Sequence, residues 1–90
     1  MIVFSFFQDD CRTGEKYDVT NTFETEEELL DEWLGSEEDG WGFMSYGLVD
    51  ENGEPVSEDM MKEILSGGWN GVEFEAHFGE VFYTFNVVNA

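Results

Sequence analysis

Ninety residues provide for one domain, and the charge within it is lopsided: 22 acids stand against 3 bases, for a formal net charge of −19. Fifteen Phe, Tyr and Trp residues supply enough large apolar surface to exclude a disordered chain, because disorder pairs high charge with few aromatics. A single cysteine excludes an internal disulfide, no apolar run reaches the roughly 20 residues that span a bilayer, and the acids would repel anionic lipid and nucleic acid alike.

The chain opens on an alternating, β-rich segment, Met1–Phe7, which reads as a strand. A polar loop containing Gly14 follows, and Tyr17, Val19 and Phe23 alternate in a second strand that pairs back on the first. Thr25 and Glu28 have the spacing of a capping box, with Thr25 as N-cap. Leu29, Leu30, Trp33 and Leu34 then form one apolar stripe of a helix ended by Gly35, and Glu28, Asp31 and Glu32 fall on its outward face.

Ser36 to Gly40 is an acidic loop, and Trp41–Val49, apolar on both alternations, suits a strand covered on two sides. Asp50 to Gly53 is a turn. Ser57 caps a second short helix with Met60, Met61, Ile64 and Leu65 inward, ended by Gly67 and Gly68. The C-terminal segment folds as a hairpin. With Gly79-Glu80 as a two-residue turn, Phe78 faces Val81, Ala76 faces Tyr83, Phe74 faces Phe85 and Val72 faces Val87, which gathers all eight on one face. The opposite face then carries Glu73, Glu75 and His77 with Phe82, Thr84 and Asn86. The expected architecture is a single α+β domain over residues 1–90, with a mostly antiparallel sheet of about five strands and two short helices on one face.

Acids in the first turn of a helix interact favourably with its dipole, which accounts for Glu26, Glu27, Glu28, Glu58 and Asp59. It does not account for Asp31 and Glu32, or for Glu37, Glu38 and Asp39. Residues 24–39 hold nine acids in sixteen positions, and Asp50, Glu51, Glu54, Glu58 and Asp59 form a second cluster. Solubility alone asks for a net charge of about 2–8 on a small domain. The excess points to a basic protein partner whose Lys and Arg side chains normally engage phosphates, with carboxylates about 5–6 Å apart on a helix standing in for the nucleic-acid backbone. The candidate partner-binding residues are Glu28, Asp31, Glu32, Glu37, Glu38, Asp39, Asp50, Glu51, Glu54 and Asp59. The competing reading is a solvated, solubilising face.

Other chemistries fit less well. Asp50-Glu51-Asn52-Gly53-Glu54 is superficially like a calcium loop, but an EF-hand needs Gly at position 6 and Glu at position 12, where this chain has Pro55 and Met61. His77 has no nucleophile to serve, and Cys11 lacks a sequence-adjacent His. There is no Gly-rich phosphate loop and no Cys/His metal spacing, so no catalytic residue, metal or cofactor is assigned. Trp41, Tyr46, Trp69 and Phe82 suit either a binding hot spot or ordinary packing, and packing is the commoner fate.

In size, charge, cytosolic composition and the acid-faced helix around Glu28, Asp31 and Glu32, the chain resembles the small acidic inhibitors that bacteriophages make against host defence: anti-CRISPR proteins, anti-restriction proteins and DNA mimics generally. The resemblance implies a non-enzymatic inhibitor in the cytoplasm of a bacterial host. Its partner would be a CRISPR effector, restriction enzyme or nuclease, and it would act as a monomer or homodimer without binding nucleic acid or membrane directly. An immunity protein that blocks a toxin nuclease, or an adaptor module binding through the apolar hairpin edge and Trp69, are the alternatives. Salt dependence separates acid-driven from apolar binding.

Overall fold

The computed structural model describes residues 1–34 and 42–90, with only the backbone of Met44 and Ser45. Four antiparallel strands, β1 (Ile2–Asp10), β2 (Glu15–Phe23), β3 (Glu73–Ala76) and β4 (Val81–Asn89), form an open sheet in the order β2-β1-β4-β3. The first and last strands are therefore its central pair, and residues 24–72, with both helices, connect the two outer hairpins.

Side-chain alternation sorts the sheet into two unlike faces. Phe4, Phe6, Phe74, Ala76, Val81, Tyr83 and Phe85 point to one side and are buried. Helices α1 (Glu26–Trp33) and α2 (Glu58–Leu65) bury Leu29, Trp33, Met61, Ile64 and Leu65 in the same core. Phe43 sits at its aromatic centre, with ring centroids 4.9 Å from Phe85 and 5.1 Å from both Phe6 and Trp33. The other face carries Val3, Ser5, Phe7, Asp9, Phe82, Thr84, Asn86 and Val88, none of them buried.

The helix ends follow local chemistry. Thr25 Oγ1 accepts from the Glu28 N–H, while Glu28 Oε2 accepts from the N–H of Glu24 and not from that of Thr25, so the reciprocal bond lies one residue earlier than a capping box places it. The expected stop at Gly35 lies outside the described residues. Ser57 Oγ caps α2 through the Met60 N–H. At the other end the Gly67 N–H donates to the Ile64 carbonyl and the Gly68 N–H to the Glu63 carbonyl, a Schellman closure in which Gly67 takes φ +96°.

Two expectations are corrected. Among the described residues the sheet has four strands, not five, because residues 42–49 do not form one. In that segment, Phe43–Tyr46 make one turn of 3₁₀ helix, bounded by Gly42 and Gly47 at φ 90° and 68°, and Val49 makes isolated bridges to Pro55 and Glu75. Apolar residues on both alternations carry no period-2 signal, and two positive-φ glycines break an extended chain.

The C-terminal hairpin is offset by two residues from the expected register. Ala76 pairs with Val81 and Phe74 with Tyr83, leaving a four-residue loop, His77–Glu80. A shift of two keeps every strand residue on its face, so burial of Phe74, Ala76, Val81, Tyr83 and Phe85 is indifferent to it. Phe78 is the residue that changes place, from the core face to full exposure.

Candidate partner-binding surface

On α1, Leu29 and Trp33 face the core and Glu28, Asp31 and Glu32 project from the opposite side, all exposed. On α2 the inward residues Met61, Ile64 and Leu65 leave Asp59 exposed. The two helices touch and share one core with the buried side of the sheet. Glu51 and Glu54 are exposed in the turn that precedes α2. Glu37, Glu38 and Asp39 lie outside the described residues.

Two members of the set have structural duties. Asp50 is partly buried, and its Oδ1 accepts from the N–H groups of Asn52 and Glu54, each at 2.9 Å, which holds the turn closed. Glu28 serves the α1 cap as described. Asp31, Glu32, Glu51, Glu54 and Asp59 have no such internal partner among the described residues. Of the nineteen carboxylate side chains there, two make ion pairs: Asp10 with Arg12 at 3.0 Å and Glu58 with Lys62 at 3.4 Å. Among the described residues the negative charge is thus almost uncompensated by the protein's own cations.

Asp10 is the buried carboxylate among the described residues. It is buried at the end of β1 and accepts from the backbone N–H, Nε and Nη2 of Arg12, and these hydrogen bonds hold its carboxyl below the usual aspartate range. Nearby, burial pushes the Tyr83 phenol up to about 12. Cys11, next in sequence, is exposed, and its N–H donates to the Glu80 carbonyl.

Packing is the commoner fate of the described aromatics, and Phe82 is on the face the hairpin alternation assigns to it. Trp69 packs edge-on against Phe74 and its Nε1 donates to Glu63 Oε2, so it is committed internally. Tyr46 stacks on Tyr83. Phe82 does emerge on the sheet's open face, opposite Asp9 on one neighbour and Glu75 on the other. Trp41 lies outside the described residues.

Sequence reasoning missed the β3–β4 turn. His77 is not on the outward face of a strand but in this loop, at φ 53°, followed by Phe78 at 57°. Beside them lies a cleft of about 480 Å³ lined by Tyr46, Val49, Ala76 and Phe78 with Glu75 and His77. A clue was present: the two-residue turn placed Phe78 in a pair at the very end of the ladder, where pairing contributes least. Among the described residues, no group of three or more His, Cys, Asp or Glu side chains is placed to hold a metal ion, and no helix is long and apolar enough to cross a membrane.

Comparison with protein-family models, curated proteins and solved structures returns no match. The functional reading therefore rests on the residues themselves.

Proposed function

We propose that this protein is a non-enzymatic inhibitor that occupies the basic, nucleic-acid-binding surface of a bacterial defence protein, such as a CRISPR effector or restriction enzyme, in the host cytoplasm. The observation that carries the reading is the exposed, unpaired set Asp31, Glu32, Glu51, Glu54 and Asp59, borne by two helices and a tight turn on one packed core. Helices and a hydrogen-bonded turn hold carboxylates in fixed places, so little entropy is lost when Lys and Arg side chains engage them. Opposite fields also accelerate encounter, to about 10⁸–10⁹ M⁻¹s⁻¹ at low salt. Self-repulsion within the free protein supports the same reading, since a partner's cations relieve it in the complex.

The test is competition. Added to a panel of bacterial CRISPR effectors and restriction nucleases, the protein should displace DNA from its target, with affinity that falls steeply as salt rises. Replacing Asp31, Glu32, Glu37 and Glu38 by Lys should abolish that displacement while the far-UV circular dichroism is unchanged. Undiminished displacement by the folded variant removes this surface from consideration. A panel of toxin nucleases assayed in parallel separates the inhibitor from an immunity protein.

A further inference from the structure

The turn between β3 and β4 opposes the preferences of its own residues. The Glu80 N–H donates to the His77 carbonyl at 3.2 Å, and the two residues between them, Phe78 and Gly79, have φ of 57° and 80°. Turns with both central residues at positive φ favour Asn-Gly, because a side chain at the first of these positions is crowded by its own backbone. Here a phenylalanine holds that position, and His77 before it is left-handed as well.

Packing does not account for the choice. Phe78 is 104% exposed, whereas the next most exposed phenylalanine, Phe7, is at 40%. A strained backbone carrying a wholly solvated aromatic ring is a feature found where a surface is used, because folding alone selects against both. Phe78 is among the residues that line the cleft, whose apolar wall is Tyr46, Val49 and Ala76 and whose size lies within the roughly 300–1,000 Å³ of ordinary ligand sites. A Cβ on Gly79 would come within 3.0 Å of Glu75 Oε1, so the glycine leaves room for that carboxylate to lie against the turn.

Charge selects the occupant. Glu75 lines the cleft, the turn Asp50–Glu54 with its three acids adjoins it, and the lining has no Lys or Arg. A second copy would bring a charge of −19 to the same place, and nucleic acid or an anionic bilayer would be repelled similarly. We propose that the cleft takes an apolar side chain from a basic segment of the partner protein, which packs between Tyr46, Val49 and Phe78 while flanking Lys or Arg side chains meet Glu75 and the 50–54 turn. This rests on the basic-partner reading above and adds an apolar anchor to it, one that discriminates among basic surfaces where charge alone does not.

Two synthetic peptides of lysines spaced by glycines, identical except for a central Leu or Ser, test it by calorimetry and by chemical-shift mapping on the full chain. The Leu peptide should bind about tenfold tighter or better, in keeping with burial of one leucine, and should perturb Tyr46, Val49 and Ala76. Phe78→Gly should erase the difference by weakening the Leu peptide alone. Phe78→Asn, which tolerates the left-handed backbone, should do the same and guards against a fold defect in the glycine variant. Asp31→Lys with Glu32→Lys should weaken both peptides in parallel. Equal affinities for the wild type, a parallel loss in the Phe78 variants, or perturbations confined to α1 or to the open sheet face overturn the cleft. If discrimination persists while the α1 variant has no effect, the cleft stands and the α1 surface falls. If neither peptide binds at low salt, both readings fall.

Discussion

Asn70 stands in for a missing strand beside Val87. The Val87 N–H donates to Asn70 Oδ1 at 2.8 Å, and Asn70 Nδ2 donates to the Val87 carbonyl at 3.0 Å. Strand β3 pairs with β4 only as far as Thr84, and beyond it the Gly71 N–H donates to the Phe85 carbonyl. One carboxamide then supplies both hydrogen bonds that another strand residue would have made. Asn70→Ala should cost about 1–2 kcal/mol, a modest figure because the site is exposed and water replaces part of what is lost. Urea unfolding should show a lower midpoint with an unchanged slope. Asn70→Asp should cost more, since it deletes the donor and adds another anion.

Asp10 makes stability depend on pH in a definite direction. Its folded-state pKa is depressed, chiefly by the hydrogen bonds from the Arg12 side chain. Such a group contributes stability that is present above its unfolded value, about 3.9, and is lost as pH falls through the folded value. Asp10→Asn should therefore be less stable than the wild type at neutral pH. The gap should narrow on acidification below about pH 4, as the wild-type carboxyl takes up its proton. Urea midpoints of the two proteins from neutral to acid pH provide the measurement, and a gap that stays constant refutes the assignment.

Reversing charge on α1 should stabilise the fold while it destroys the proposed contact. Glu27 and Asp31, and Glu28 and Glu32, are like charges four apart, and the last turn of α1 has no basic residue. Asp31→Lys with Glu32→Lys turns both repulsions into attractions and places cations near the negative end of the helix dipole. The gain should be about 1 kcal/mol in urea unfolding at low salt and less at high salt. Added salt should for the same reason raise the melting temperature of the wild type. A variant that is more stable yet inert toward its partner would separate folding from function at this surface.

Phe78→Gly should likewise be no less stable than the wild type. A left-handed non-glycine residue costs of order 1–3 kcal/mol, and the flexibility of glycine in the unfolded chain takes back about 0.5–1 kcal/mol. The difference leaves a gain of about 0–2.5 kcal/mol in thermal or urea unfolding. A clear loss would mean that the ring supports the fold.

Much of this molecule was legible in local pattern. The Thr25 and Ser57 caps, the apolar stripes of the two helices and the inward set Phe74, Ala76, Tyr83 and Phe85 are stated by residue spacing, because a helix repeats every 3.6 residues and a strand every two. The exposed positions of Glu28, Asp31 and Glu32 follow from the same geometry. The segment containing Phe43 was misread, since an apolar run without a period is equally suited to a strand and to a compact turn buried under aromatic rings.

By itself, then, the sequence determined the α+β class, both helices, the inner face of the hairpin and an acidic surplus that the chain's own cations cannot neutralise. Tertiary structure alone decided the strand order β2-β1-β4-β3, the internal commitment of Asp50 and Trp69, and the two-residue offset that expels Phe78 into solvent. The reason is that alternation fixes which face a side chain occupies but is blind to shifts of two. Register is settled instead by contacts far apart in the chain, here the pairing of β4 with β1 on one side and with Asn70, Gly71 and β3 on the other.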